Sequence, residues 1–351
     1  MNALRVSMDA LRAGAKAVLR TPLGKPLQRR YTGVATCLMY HRLTRTPAGP
    51  HDFAPNRGLF VSEAEFEREM QYVSRNFHCL SIEEAVARLQ EGTLQRRSLI
   101  VTFDDGHRDN LDIGLPILKR YNVPATIYVT TGIVDETASL WWYEHEHIVK
   151  GCASLSFEHE GRPYAFDLST DRQKHLAYWE LARLFKLLPP AKQDVLMERM
   201  RSACSVHTHV PHEALTWDDV RALDREPLIT IGAHGITHAP LRQLSDSELA
   251  TEIYGSKQLI EQHLGHAIHH FAYPFGEAGH AGPREFAAAR AAGFTSAVTT
   301  RNGHWFPRHR EHLFALPRVG VYAHDTFDKF LWEIEGFDVM KQRPFAPFVA
   351  D

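Results

Sequence analysis

The chain has 351 residues and a formal net charge of −2 at pH 7, from 40 lysines and arginines against 42 aspartates and glutamates. This near-neutral balance argues against a nucleic-acid-binding protein, so we expect no nucleic-acid partner. No segment approaches the roughly 20 consecutive apolar residues of a membrane-spanning helix. The length suits one large α/β domain with insertions, or two domains.

Residues 1–32 form a basic N-terminal segment, in which arginine and lysine recur among leucine, valine and alanine. No uninterrupted apolar stretch follows these charges, so a secretory signal peptide is not expected. Residues 8–19 can form a basic amphipathic helix that either contacts an anionic membrane surface or stays solvated. The scattered cysteines predict four unpaired thiols in a reducing compartment: Cys37, Cys79, Cys152 and Cys204. The expected location is the cytoplasm, alone or with peripheral membrane contact through the basic segment.

Strand and helix patterns alternate along the rest of the chain. Short apolar runs predict strands over residues 33–40, 98–103, 125–130, 228–233, 270–273, 296–300 and 316–322. Helical spacing of apolar positions predicts helices from residue 62 and over 82–89, 111–121, 217–223, 245–264 and 284–292, with a last helix from residue 327. Seven or eight such βα units in about 300 residues favour an α/β barrel, with an open sheet as the alternative.

The alternation is interrupted over about residues 140–215. Residues 155–168 alternate around the turn G-R-P, which predicts a β-hairpin, and residues 173–201 are helix-prone. We interpret this hairpin-plus-helices segment as an insertion into one domain, residues 33–336, followed by a C-terminal tail, residues 337–351.

Two adjacent carboxylates, Asp104 and Asp105, directly follow the predicted strand 98–103. Burying an unpaired charge is costly, whereas α/β folds bind ligands at the carboxyl ends of their strands. A helix cap would account for one aspartate but not for two. The pair therefore predicts a functional site.

A second candidate follows the strand 228–233, where His234 and His238 form an H-x₃-H pair. This spacing places two imidazoles on one face of a helical turn, which suits one cation. With 22 histidines in the chain, the spacing alone arises by chance at about even odds. Its position carries more weight, because in a barrel both strand ends open at the same mouth.

The motifs T-F-D-D-G, H-x₃-H and F-A-Y-P-F-G together resemble the polysaccharide deacetylase family (NodB homology, carbohydrate esterase 4). The resemblance runs from about Ala35 to Gly336 and includes the segments M-Y-H and L-P-R at two other strand ends. It implies a distorted (β/α)₇ barrel and the metal-dependent removal of an acyl group from a sugar amide or ester.

The resemblance also implies a role for each matching residue. Asp105, His234 and His238 match the metal ligands, and Asp104 matches the general base. One carboxylate and two imidazoles suit zinc first, with cobalt, nickel or manganese as alternatives. Such a cation lowers the pKa of its water, and Asp104 would accept the water proton.

The third motif departs from the family pattern, because A-Y-P-F stands where many relatives have R-P-P-Y. The arginine that braces the base is therefore missing. Arg318 is our candidate replacement, with pairing to a surface acid as the alternative. Phe275 is expected to offer its backbone N–H to the oxyanion. The general acid is predicted as His324, with His304 and His41 as alternatives, and with metal-bound water or Asp104 itself in that role if no histidine serves.

We expect His41, Tyr273 and Trp142 to contact the substrate, Trp142 because aromatic rings stack on sugar faces. The alternative for Trp142 is a core position under the predicted hairpin. The leading function is deacetylation of an N-acetylated aminosugar in a polysaccharide or its precursor, so the expected partner is a glycan or glycolipid. Alternatives are a deacylase of a small or lipid-linked sugar, an O-acetyl esterase, and a catalytically weak carbohydrate-binding or assembly protein on the same scaffold.

Overall fold

The computed structural model describes residues 25–47, 49, 52–138, 140–204, 214–323 and 326–350. The predicted amphipathic helix 8–19 and the predicted acid His324 lie outside these ranges. No helix within them is long and apolar enough to cross a bilayer.

Parallel strands dominate the molecule. In chain order the strands are β1 (Ala35–Tyr40), β2 (Arg42–Thr44), β3 (Phe60–Ser62), β4 (His78–Cys79), β5 (Ser98–Phe103), β6 (Ala125–Val129), β7 (Ser154–His159), β8 (Arg162–Asp167), β9 (Ile229–Ala233), β10 (His270–Ala272), β11 (Ser296–Asn302) and β12 (Leu316–Gly320). β2 pairs with β3, and β7 pairs with β8 as the predicted antiparallel hairpin.

The other strands form a closed barrel. Its parallel order is β1-β12-β11-β10-β9-β6-β5, and β5 returns to β1 along its whole length. β4 adds a short pair beside the start of β5. The register shifts between β11 and β12, so the barrel is irregular on that side. The predicted distorted (β/α)₇ barrel is confirmed, and the open sheet is excluded by the β1–β5 pairing.

Helices cover the strands and build the insertion. They are α1 (Lys25–Thr32), α2 (Glu63–Asn76), α3 (Ile82–Glu91), α4 (Leu115–Tyr121), α5 (Thr131–Val134), α6 (Trp141–Gly151), α7 (Asp171–Lys186), α8 (Pro190–Ser202), α9 (Trp217–Asp224), α10 (Asp246–Ala250), α11 (Ser256–Leu264), α12 (Pro283–Ala291), α13 (Phe327–Ile334) and α14 (Phe337–Gln342). The helix predicted over 245–264 is divided, because a π turn, Thr251–Gly255, separates α10 from α11.

Local sequence signals set the helix ends. The Ser62 hydroxyl accepts a hydrogen bond from the Glu65 N–H and so caps the start of α2. α3 ends at Gly92, which adopts φ +74°, the left-handed conformation that glycine adopts without a Cβ clash.

The barrel strands are buried on both faces. Every residue of β1, β5 and β6 is buried, which is typical of parallel strands between a filled lumen and a layer of helices. Alternate residues belong to different apolar clusters: Cys37 and Ile100 lie in one, and their neighbours Leu38 and Val101 lie in the other. This alternation separates the lumen from the helix-facing layer.

The inserted residues have an apolar core of their own, which includes Trp141, Leu181 and Phe185. A disulfide joins Cys152, after α6, to Cys204, after α8. The prediction of four unpaired thiols is therefore wrong for this pair. The two cysteines are 52 positions apart in the chain, and only the packing of α6 against α8 brings them together. Cys37 and Cys79 remain free thiols.

The segment predicted as a C-terminal tail, residues 337–351, is described as far as residue 350. It begins with α14 and then packs on the barrel. The ring of His309 lies 2.8 Å through Nε2 from the Val349 carbonyl oxygen, and the rings of His309 and Phe348 stand 4.4 Å apart between centroids.

Candidate active site

Two loops at the carboxyl ends of barrel strands carry the predicted ligands. Asp105 and Gly106 follow β5 and have φ values of +76° and +85°. His238, in the loop after β9, has φ +56°. A left-handed conformation at a non-glycine residue costs about 1–3 kcal/mol and persists only where the surrounding structure enforces it. Both loops therefore turn sharply, and their side chains point to one place.

Asp105, His234 and His238 meet there, all three buried. The Asp105 Oδ1 atom lies 3.5 Å from His234 Nε2 and 3.3 Å from His238 Nε2. The His234 Nδ1 atom stands 2.8 Å from the Ala272 carbonyl oxygen, so Nδ1–H donates to that oxygen and the Nε2 atom faces Asp105. Within the described residues the buried Oδ1 atom has no hydrogen-bond donor. One such oxygen between two imidazole nitrogens fits a divalent cation.

Asp105 is also an ionised carboxylate. Burial raises its pKa, but the contacts from His107, His234 and His238 outweigh burial and hold the pKa well below its ordinary value. His107 lies 3.2 Å through Nε2 from Asp105 Oδ2, on the oxygen that does not face the two predicted ligands. We did not predict His107, although it stands two positions after Asp105 in the same loop.

Asp104 and Arg318 form a buried, two-pronged ion pair. Two guanidinium nitrogens donate to the two carboxylate oxygens, at 2.6 Å and 2.7 Å. Arg318 also donates to the Thr102 hydroxyl and the Thr299 carbonyl oxygen, both at 3.0 Å. Burial raises the pKa of Asp104, yet the neighbouring Arg318 and His234 lower it more, so the carboxylate is ionised. The alternative of a surface partner for Arg318 is wrong, because the side chain is buried against Asp104.

A buried carboxylate on the outer helix layer holds the loop that carries His238. Glu252 accepts hydrogen bonds from the Ile236 N–H at 2.8 Å and from the Thr237 N–H at 3.0 Å. The Thr237 hydroxyl adds a third donor at 2.6 Å. We did not predict Glu252, since its position in a helical sequence pattern gives no sign of a buried role.

A cavity of about 500 Å³ opens over the site. Asp104, Asp105, His234, His238, Phe275, Trp142 and His41 all line it. The Trp142 ring packs edge-on against His238 at 4.7 Å between centroids, and the Phe275 ring does the same at 4.7 Å. Trp142 thus belongs to the core of the insertion and to the cavity wall at once.

Three of the predicted positions need separate comment. Tyr273 does not line the cavity, because its side chain is fully buried in the helix-facing cluster and its hydroxyl donates to the Phe314 carbonyl oxygen at 3.1 Å. The prediction of a substrate contact is wrong there. His304 is buried against the Thr36 hydroxyl at 2.8 Å and is absent from the cavity wall. His41 lies in the wall, and burial lowers its pKa, so its imidazole is neutral.

Comparison with known proteins supports the same fold and family. The chain is 33% identical over 81 residues to YxkH of Bacillus subtilis (strain 168). It is 32% identical over 77 residues to poly-beta-1,6-N-acetyl-D-glucosamine N-deacetylase of Staphylococcus aureus. Each match covers 22% of this chain and less than a third of the relative, 29% and 27% respectively.

Among solved structures, the deacetylase PplD of Streptococcus pyogenes superimposes with a TM-score of 0.58 at 18% identity. The superposition covers 86% of this chain and 99% of PplD, which shows a shared fold. The family model described as polysaccharide deacetylase matches residues 91–297, more than half of the 351 residues. The chain belongs to the polysaccharide deacetylase family.

Proposed function

We propose that this protein removes the acetyl group from an N-acetylated aminosugar in a glycan or its precursor, with a divalent cation as cofactor. The observation that carries the proposal is the division of the two adjacent aspartates. Arg318 occupies both oxygens of Asp104, whereas Asp105 Oδ1 faces two imidazole nitrogens without a donor in the described structure. Asp104, held in one orientation by Arg318, is therefore suited to accept a proton. Asp105, whose Oδ1 atom has no donor in the described structure, is suited to bind a metal ion.

Asp105, His234 and His238 would hold the cation, zinc first among cobalt, nickel and manganese. When bound, a divalent cation supplies a water of lowered pKa and polarises the acyl carbonyl. The ionised Asp104 accepts the proton of the attacking water, and Arg318 fixes the direction of its carboxylate.

The oxygen that becomes negative during attack needs a donor. The Phe275 backbone is our candidate, because its φ of +60° turns the loop after β10 sharply at the cavity wall. The rings of Phe275 and Trp142 beside His238 restrict the access of water to the reacting groups.

Protonation of the leaving amine requires a second group. His41 lines the cavity, and its buried Nδ1 atom has no partner in the described part of the chain. We therefore place His41 before His324, which lies outside the described residues. Because its imidazole is neutral, His41 first takes up the water proton that Asp104 has accepted and then gives it to the amine.

The substrate class rests on the aromatic cavity wall and on the relatives. The Staphylococcus aureus protein is named for an N-acetylglucosamine polymer, which supports an acetamido sugar here. The amide is preferred to the ester alternative for the same reason. The expectation of a cytoplasmic location rested in part on four unpaired thiols, and the disulfide between Cys152 and Cys204 removes that support, since disulfides persist in oxidising compartments. Of the predicted location we therefore propose only the peripheral contact with a membrane.

Acetate release after metal loading tests the proposal. The purified protein is incubated with zinc or cobalt, and acetate is measured on β-linked N-acetylglucosamine oligosaccharides and on lipid-linked aminosugars. Asp104→Asn should retain bound metal and lose acetate release, whereas Asp105→Asn should lose the metal. Asp112→Asn is the matched control, because this half-exposed carboxylate pairs with Arg108 nearby at the surface. Metal binding without acetate release from any acetamido sugar would contradict the enzyme proposal.

A further inference from the structure

The outer face of helix α7 is unlike the rest of the surface. Six of the large apolar side chains in the described structure are exposed, and three of them, Leu176, Trp179 and Leu187, lie on α7 or directly after it. Their exposed fractions are 64%, 57% and 52%. Exposed Leu and Trp side chains grouped on one element mark an interaction surface more often than chance scatter does.

Basic residues share this face. Arg172, Leu176, Trp179, Arg183 and Lys186 follow the spacing i, i+4, i+7, i+11 and i+14, which places them along one side of a helix. Leu187 ends the row, and we call these six residues the outer ridge. The opposite side of α7 is buried through Tyr178, Leu181 and Phe185, so packing on the insertion fixes which side faces out.

The cations of the outer ridge are not paired with acids in the described structure. Arg172, Arg183 and Lys186 form no salt bridge within the described residues, although arginines elsewhere in the insertion do, as Arg201 does with Glu144. The face carries one acid, the exposed Glu180. Two arginines without an ion-pair partner among the described residues, and a lysine whose ammonium lies over the Phe275 ring, stand beside three exposed apolar side chains. This is the pattern of a helix that lies at a membrane interface.

The outer ridge also borders the active-site cavity. Trp179 and Lys186 line the cavity wall, and the Lys186 Nζ atom lies 5.1 Å from the centre of the Phe275 ring. A surface that docks on this ridge therefore lies next to the cavity mouth.

We propose that the outer ridge of α7 docks this protein on an anionic lipid surface. The apolar side chains enter the headgroup region, and the arginines and the lysine neutralise lipid phosphates. A bilayer fits better than a protein partner, because exposed apolar side chains and cations share one helix face, which matches an apolar layer beneath anionic headgroups. If the proposed deacetylation holds, on which this last step rests, docking turns the cavity toward the lipid and favours a sugar carried on a lipid anchor.

Vesicle binding of the full chain tests the proposal. Phosphatidylcholine vesicles with and without phosphatidylglycerol are floated with the protein, and binding is expected to require the anionic lipid. Leu176→Ser/Leu187→Ser should reduce vesicle binding by about 10-fold or more. Arg172→Glu/Arg183→Glu should reduce binding to anionic vesicles to the level seen with phosphatidylcholine alone. The control is Val195→Ser, a change of a side chain that is 50% exposed on the neighbouring α8, which should bind as wild type.

Two results would overturn the docking proposal. Ridge variants that bind anionic vesicles as wild type would assign any membrane contact to another part of the chain. A wild-type protein that ignores anionic vesicles, together with a loss of soluble oligosaccharide turnover in Leu176→Ser/Leu187→Ser, would make the ridge a glycan-binding surface instead. Because acetate release and vesicle flotation are separate readouts, failure of the proposed reaction leaves this test intact.

Discussion

Replacing Arg318 by methionine tests the central ion pair of the site. The change removes a fully buried guanidinium and its bonds to Asp104, Thr102 and the Thr299 carbonyl oxygen. Methionine occupies a similar length without a charge, so Asp104 is left as a buried carboxylate without its cation. Breaking a buried pair by removing one partner costs about 3–5 kcal/mol, and we expect that loss in the free energy of unfolding at neutral pH.

The pH dependence of this loss has a definite sign. In the wild type, Arg318 and His234 lower the pKa of Asp104 against the effect of burial, so its contribution to stability is present above the unfolded pKa and is lost as pH falls through the folded pKa. Without Arg318, burial raises the pKa, and the carboxyl group favours the neutral form. The variant should therefore be least stable relative to wild type near pH 7 and approach it in acid.

The pH dependence of activity should follow the pKa of Asp104. The acid limb of the pH profile of kcat/KM should move to higher pH in Arg318→Met, because the base is protonated where the wild type is ionised. Arg318→Lys should recover part of the stability, since it restores the charge but not the two-pronged geometry. Urea unfolding of metal-free protein, with linear extrapolation, gives the free energies.

A double-mutant cycle decides whether the pair itself is responsible. Asp104→Asn/Arg318→Met leaves no unpaired charge, so its cost should be smaller than the sum of the two single costs. Additive costs, or an Arg318→Met protein with the wild-type urea midpoint and acid limb, would refute the reasoning.

Three further changes address the loop, the wall and the insertion. Glu252→Ala removes the acceptor of three hydrogen-bond donors at Ile236 and Thr237, so the affinity for zinc should fall by about 10- to 100-fold in a competition with a fluorescent chelator. Trp142→Ala removes the ring against His238, which should raise KM for the glycan more than it weakens zinc binding. Cys152→Ser opens the disulfide to Cys204 and should lower the free energy of unfolding by about 2–4 kcal/mol without reductant.

Each of these changes has a control in the chain. Glu248→Ala alters an exposed cap of α10 and should leave zinc affinity unchanged, so equal losses in both variants would contradict a positioning role for Glu252. Trp332→Ala, in α13, tests the general effect of losing an indole. A similar rise in KM in that variant would contradict a substrate contact of Trp142. Cys79→Ser should keep the wild-type unfolding curve, because Cys79 is a free thiol.

The meeting of Asp104, Asp105, His234 and His238 at one place could be predicted because its information is local. Asp104 and Asp105 follow a continuous apolar strand, and His234 and His238 follow another, so strand ends and residue chemistry alone place them at one mouth. The closed barrel followed from the same alternation of strands and helices. These features depend on neighbours in the chain rather than on contacts across it.

Other parts of the site depend on orientation that a sequence does not encode locally. Tyr273 follows Ala272, which lies in the lumen cluster, so the strand alternation turns Tyr273 toward the helices. A shift of one residue reverses which side chain faces the mouth. The bond between Arg318 and Asp104 spans 214 positions, and it was predictable only because a base without a cation required a partner.

The conformation of the site lowers the stability of the fold. Asp105, His238 and Phe275 account for three of the seven non-glycine residues with positive φ in the described structure, and each such residue costs about 1–3 kcal/mol. The same region leaves Asp105 Oδ1 buried without a donor among the described residues. A cation bound there would satisfy that oxygen and hold both loops, so the binding of metal and the stability of the site are coupled. The regular, fully buried strands β1, β5 and β6 provide the stability that this arrangement requires, which is why strained loops and regular strands occur side by side at the barrel mouth.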